Sequence, residues 1–275
     1  MILDEQLLRE VITKRPKHSH KGTFGRVVLI GGNQQYGGAI IMSALAAVNS
    51  GAGLTTVITD KKNHAPLHVQ LPEAMVVDWY DQATCLTVIQ QADVLLIGPG
   101  LGTSTFSLGL LQMVLKVQTN QQWLVIDGSA LTLLAKAKLS LPYPEHTVLT
   151  PHQMEWQRLS GIAIATQTDQ LNQEKQHELG AILVVKSHQT TIYNKENIYY
   201  NQSGSAAMAT GGTGDTLAGM ITAFLAQFPQ NDHTVAAAVY LHSFIGDHLA
   251  QTHYVVLPTL ISQAIPQWMA HFCTE

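Results

Sequence analysis

Residues 211–215 read Gly-Gly-Thr-Gly-Asp and run directly into an apolar helical pattern, TLAGMITAFLAQ. A helix start has unpaired backbone N–H groups and the positive end of the helix dipole, so it attracts anions. Gly211, Gly212 and Gly214 let the backbone approach a ligand with no Cβ in the way, and with Thr213 they form a candidate anion hole for a phosphoryl group in transfer. Asp215 falls in the first helical turn, where the dipole favours an ionised carboxylate able to accept a proton. The same five residues also suit a plain glycine turn into a core helix.

Five other segments carry polar or glycine-rich groups of the same kind. GGNQQYGGA (31–39) follows an apolar run, and its Gly38 and Ala39 open a helical pattern. GPGLGT (98–103), which contains Gly102, follows another. Neither has P-loop or dinucleotide-fingerprint spacing, and each is compatible with close approach to a ligand or with a tight turn. In TPHQMEWQRL, His152 and Glu155 are three apart at a helix start and share one face, where they could orient a water or a hydrated magnesium ion. A proline-initiated helix with polar first-turn residues accounts for them equally simply. Lys186 ends the apolar run of VVKSHQT, where its ammonium either meets a phosphate or snorkels to solvent. Asp127 in VIDGSAL either shapes a site or caps the helix that follows.

These segments share a plan. RVVLIGG, GLTTVIT, ADVLLIGPGLG, WLVIDGSAL and HTVLTPHQ are β-rich runs ending in glycine or polar turns, most of them followed by helical patterns. Apolar strands alternating with helices predict a mostly parallel sheet covered on both faces, within one α/β domain spanning residues 1–275. AILVVKSHQTTIYNKENIYYNQ predicts an antiparallel extension at the sheet edge, with turns at SHQT and NKEN. Two apolar helices follow Gly211–Asp215, then an amphipathic helix expected to kink at Pro266. Because such sheets bind ligands at the carboxyl ends of their strands, the loops should gather along one rim.

Composition excludes several classes. Hydrophobic residues make up 46% of the 275 and charged residues 12%, which favours a substantial core over disorder. The formal net charge is -4 with no basic run, which argues against a nucleic-acid partner. Cys85 and Cys273 lack CxxC spacing, no apolar run reaches membrane-spanning length, and the N-terminal segment has no signal-peptide core. The expectation is a cytoplasmic protein without a membrane. Thirteen histidines, including the His18/His20 pair and the helical His242 and His248, form no zinc-spaced cluster.

Taken together, HKGTFGRVVLIGG, GGA, IGPGLG, VIDGSALTLL, VLTPHQMEWQRLSG, VVKSHQT and MATGGTGDTLAGMI occur in an order that resembles the NAD(P)H-hydrate dehydratase family. The resemblance implies a ribokinase-like three-layer α/β/α sandwich. It also implies ADP- or ATP-driven dehydration of hydrated NADH and NADPH, with Mg2+ on the nucleotide phosphates. By position, it makes Ala39, Gly102, His152 and Asp215 contacts to the hydrated nucleotide, with Asp215 catalytic. Lys186, Ser187, His188, Gln189, Thr190 and Gly214 become contacts to the adenine nucleotide, and Glu155 an indirect metal contact through water. The chain resembles the stand-alone form, so an epimerase would be a separate protein, and a homo-oligomer, possible as a tetramer, is expected. It departs from the common DADAL pattern at DGSAL, losing an acidic side chain at Ser129 or its neighbour. The readings set against this one are a ribokinase-like kinase of small alcohols and a non-catalytic nucleotide sensor.

Overall fold

The computed structural model describes residues 1–273; residues 274 and 275 of the expected 1–275 unit lie outside the described residues. The chain opens with α1 (Glu5–Val11), β1 (Arg26–Ile30), α2 (Gly37–Asn49), β2 (Leu54–Thr59), α3 (His64–Gln70), β3 (Met75–Asp78) and α4 (Gln82–Gln90). It continues through β4 (Val94–Ile97), α5 (Thr105–Val117), β5 (Trp123–Ile126), α6 (Gly128–Lys136), β6 (Thr147–Leu149), α7 (Gln153–Ser160) and α8 (Asp169–Leu179). Last come β7 (Ile182–Val185), β8 (Thr191–Tyr193), β9 (Ile198–Tyr200), α9 (Thr213–Gln227), α10 (Asp232–Ala250) and α11 (Pro258–Phe272).

Among the described residues, nine strands join one sheet in the order β3-β2-β1-β4-β5-β6-β7-β8-β9. Pairings from β3 to β7 are parallel; β7–β8 and β8–β9 are antiparallel. This is the expected architecture, including the antiparallel edge. Alternation along each strand feeds two cores. Val27, Leu29, Val94, Leu96 and Val125 face the layer of α2, α9, α10 and α11. Val28, Ile30, Leu95, Ile97 and Ile126 face the layer of α4–α7. A strand buried on both faces has no polar side to alternate with, which explains the continuous apolar runs. β3 escapes that signal because its four residues, MVVD, are only partly buried.

Pro266 lies inside α11, which runs from Pro258 to Phe272. It lacks the N–H that would bond the carbonyl of Ser262, one turn back.

Helix starts divide into two kinds. Asp4, Asp81, Ser104, Thr168 and Asn231 cap α1, α4, α5, α8 and α10 with side-chain oxygens. Among the described residues, α2, α3, α6, α9 and α11 begin without a side-chain cap bond. α2, α6 and α9 start at the carboxyl rim of the parallel sheet. The first turns of α2 and α9 are tied together by the fully buried Ser43, whose Oγ lies 3.1 Å from Ala39 O and 2.9 Å from Asp215 O. Ser43→Ala should therefore lower stability by about 1–2 kcal/mol. For a chain of this size that is a fall in Tm of about 2–6 °C, measurable by thermal denaturation.

Candidate active site

The centre of the rim is built by extending β5, β6 and β7 beyond their last strand residues. Asp127 N donates to Ile97 O (3.0 Å), Thr150 N to Ile126 O (3.1 Å) and Lys186 N to Pro151 O (2.8 Å). A parallel bridge also sets His152 beside Lys186. The backbone register thus presents Asp127, Thr150, His152 and Lys186 side by side. Lys186 Nζ donates to Asp127 Oδ1 at 2.6 Å, and Thr150 Oγ1 donates to the same oxygen at 2.7 Å. Asp127 is the residue before α6, yet its side chain makes no cap bond there. Of the two readings open for it from sequence, the helix cap is overturned, because Lys186 and Thr150 hold the carboxylate.

α9 meets this pair from the opposite layer. Gly212 adopts φ +99°, and a Cβ there would fall 2.3 Å from the end of the Met42 side chain. That left-handed residue turns the chain into α9 without offering a side chain to its first N–H groups. A Cβ on Gly214 would lie 3.1 Å from Lys186 Nζ, so the glycine admits the ammonium to the first turn. Thr213 points inward, its Oγ1 bonding Met208 O (2.8 Å) and Thr210 O (3.0 Å). It contributes its backbone to the turn and spends its hydroxyl on shaping the loop.

Asp215 therefore shares a confined space with Asp127, Glu155 and Lys186. Burial, then the Asp127 charge, opposed by Lys186 and reinforced by Glu155, pushes its carboxyl up to about 7. This corrects the expectation of a carboxylate kept ionised by the helix dipole: desolvation and like charge outweigh the dipole. Glu155 is also pushed up to about 7, chiefly by burial, with Lys186 opposing and Asp127 reinforcing. Burial pulls the Lys186 ammonium down, but Asp127 and Glu155 more than offset it and hold it above its ordinary value.

His152 is the N-cap of α7. Its Nδ1 accepts N–H bonds from Met154 (3.1 Å) and Glu155 (3.3 Å), while Glu155 Oε2 accepts His152 N (2.9 Å). Its Nε2 lies 3.5 Å from Glu155 Oε1. Burial and the Lys186 charge lower its pKa, favouring the neutral ring. Nδ1 is engaged in the α7 cap, which fixes the ring in place beside Lys186.

A cavity of about 510 Å3 opens beside the start of α9 and takes in Lys186, Ser187, His188, Thr190 and Gly214. Gln189 lines an adjoining cavity of about 440 Å3 that also takes in His188 and Thr190. Ser187 Oγ donates to Gln189 O at 2.5 Å, tightening the β7–β8 turn. Ala39 lies on the far side of Asp215 through the Ser43 link, and Gly102 lines a third cavity of about 250 Å3. Sequence reasoning missed His242 as a site residue, setting it beside His248 as metal-like spacing. It is buried on α10, lines the 510 Å3 cavity, and is driven down to about 4, first by burial and further by Lys186. Its signal, a lone histidine within an apolar helix, is indistinguishable in sequence from a packed core residue.

The carboxylate shift has a stability consequence. Asp215 binds a proton in the folded state, up to about pH 7, that the unfolded chain has released near pH 4. The native state thus holds more protons across that window, and its stability falls as pH rises through it. Glu155, also pushed up to about 7, adds a slope of the same sign, so Asp215→Asn should reduce the slope and raise stability at pH 8 by about 1–2 kcal/mol, a value discounted for partial exposure. Denaturant titrations of both proteins at pH 5 and pH 8 check it.

Comparison with known proteins agrees with this geometry. The family model described as NAD(P)H-hydrate dehydratase matches residues 27–267. An ADP-dependent (S)-NAD(P)H-hydrate dehydratase of Enterococcus faecalis is 59% identical over 270 residues, covering 98% of this chain and 93% of that protein. A crystal structure of a ribokinase-like superfamily protein from Enterococcus faecalis superposes with a TM-score of 0.99 at 58% identity, covering 100% of this chain and 96% of that one. The ADP/ATP-dependent NAD(P)H-hydrate dehydratase of Bacillus subtilis, co-crystallized with ATP/Mg2+, superposes at 0.86 with 27% identity, covering 98% and 97%. With its rim assembled as described and this match running through nearly its whole length, the chain belongs to the NAD(P)H-hydrate dehydratase family.

Proposed function

We propose that the protein converts the S form of hydrated NADH or NADPH back to NADH or NADPH, driven by ADP, with ATP as the other candidate donor. The observation that carries the reading is Asp215, pushed up to about 7, in an uncapped helix start beside the Lys186–Asp127 pair and a 510 Å3 cavity. A base with a pKa near the working pH suits proton transfer.

Hydration puts a hydroxyl on a ring carbon next to the ring nitrogen, and hydroxide leaves poorly. Asp215 accepts the hydroxyl proton as its oxygen attacks the terminal phosphorus of the nucleotide, whose bond to the bridging oxygen breaks. The backbone N–H groups at 212–215 and the Lys186 ammonium stabilise the charge on the transferring group. Phosphate then departs with the C–O bonding pair, pushed by the nitrogen lone pair, and loss of the neighbouring ring proton restores the double bond. Lys186, Ser187, His188, Thr190 and Gly214 are the nucleotide side of this site; Ala39, Gly102 and His152 belong to the substrate side. Gln189 borders the nucleotide side from the neighbouring cavity.

The residues suit Mg2+ only as a phosphate-borne ion. Among the described residues, no group of three or more His, Cys, Asp or Glu could hold a metal directly. Glu155 already accepts the His152 N–H, so its part is at most a contact through water. When bound, the ion neutralises charge on the nucleotide phosphates.

The remaining features follow the family resemblance. One domain spans the chain, which works as a homo-oligomer, possible as a tetramer, in the cytoplasm. An epimerase on a separate chain supplies the S form. No helix among the described residues is long and apolar enough to cross a membrane.

The direct test adds purified protein to hydrated NADH with ADP or ATP and follows the absorbance of the reduced nicotinamide. Recovery is expected, with ADP the better donor. No recovery with either donor would refute the reading, and a stable phosphorylated alcohol would indicate a kinase. Asp215→Asn should lower kcat by about 10²–10⁴-fold. The parent's rate should rise with pH through about 7, where Asp215 deprotonates. Lys186 is the group holding the Asp215 pKa down, so Lys186→Met should move that limb to higher pH as well as raise the KM for nucleotide.

A further inference from the structure

The entry to α9 turns on one glycine. Gly212 takes φ +99°, and its carbonyl accepts Thr216 N at 3.0 Å, the first bond of the helix. A peptide unit is planar, so a carbonyl aimed into α9 sets the Thr213 N–H pointing the other way, out of the helix start. The direction of that N–H therefore depends on the backbone angles of a glycine, the residue with the fewest steric limits on them. Gly211 gives no support of its own, since a Cβ there would meet nothing within 4 Å.

α2 supplies the support. A Cβ on Gly212 would fall 2.3 Å from both Sδ and Cε of Met42, and 3.3 Å from Cγ of Pro258 at the start of α11. Those atoms fill the side of Gly212 on which a side chain would stand. The next residue of α2, Ser43, holds the other end of the turn, with its Oγ 2.9 Å from Asp215 O. Two consecutive residues of α2 thus grip residues 212 and 215. α2 is itself set against α9: a Cβ on Gly219 would lie 2.1 Å from Ser43 O, so the two backbones touch one turn further along. Position 42 is therefore fixed relative to the helix start it contacts. Methionine suits that place, because an unbranched thioether follows the irregular surface of a glycine turn.

Donors that stabilise a transferring phosphoryl group must already stand in position, and a misplacement of about 1 Å can cost about 100-fold in rate. The proton transfer and the nucleotide contacts described above use no group of Met42.

We infer that Met42 is a positioning residue for the phosphoryl transfer: its thioether holds Gly212 in the left-handed conformation and so aims the backbone N–H groups at the start of α9. The inference rests on the dehydratase reading.

The test measures kcat, KM for the nucleotide donor and Tm in Met42→Ala and Met42→Leu, with hydrated NADH as substrate. Met42→Ala removes the packing on Gly212 and should lower kcat by about 10–100-fold, with KM for the donor within about threefold of the parent value. Met42→Leu conserves volume and should recover kcat to within about threefold of the parent. If Met42→Ala does not fold, Met42→Val, a milder truncation, should show the same split between kcat and KM at smaller size. An unchanged kcat in the folded truncation, whether or not Tm falls, overturns the inference, and so does a rise in KM alone. Equal loss of kcat in the Leu variant and the truncation also overturns it. Each of these results leaves the repair reading intact, because the parent turns over. Absence of turnover of hydrated NADH by the parent with either donor overturns the repair reading, and this inference with it.

Discussion

The contact between Lys186 and Asp127 governs the site. An ion pair enclosed at a sheet rim is costly to desolvate, and it persists only where geometry and further hydrogen bonds offset the loss of water. Here Thr150 supplies the further bond, and the parallel register of β5, β6 and β7 supplies the geometry. The pair then constrains everything near it. Residue 214 must leave room for the ammonium, α9 must start at that point, and Asp215 must share the field of Asp127. The raised carboxyl of Asp215 is a consequence of this enclosure.

Three helix starts at the rim leave backbone N–H groups open to a ligand. α2, α6 and α9 begin there without side-chain cap bonds. Uncapped N–H groups and a carboxylate buried near like charge both lower stability, and both suit a site meant to receive a phosphoryl group. The two large apolar cores on either face of the sheet carry that burden. His152 follows a related economy: its ring nitrogens finish a capping box with Glu155, which fixes the ring rigidly next to Lys186.

Much of the fold was legible in the sequence. The runs RVVLI, VLLI, WLVI and ILVV are continuous because both faces of the sheet are covered, so each declared itself as a buried parallel strand. The glycine turns marked strand ends, and SHQT and NKEN marked the antiparallel edge. β3 was silent because a short, half-buried edge strand lacks that pattern.

The candidate site divides along the same line. By itself the sequence determined the chemistry on offer: glycines and an aspartate at a helix start, a lysine ending a strand, a histidine and a glutamate three apart. These are local facts, governed by backbone freedom and by spacing along one element. Only the tertiary structure decided what those groups became. It joined Asp127 to Lys186 across 59 positions of chain, brought His242 into the 510 Å3 cavity, and pushed Asp215 up to about 7. The physical reason is that desolvation and Coulomb interaction depend on distance in space, and the separation of two residues along the chain does not set that distance.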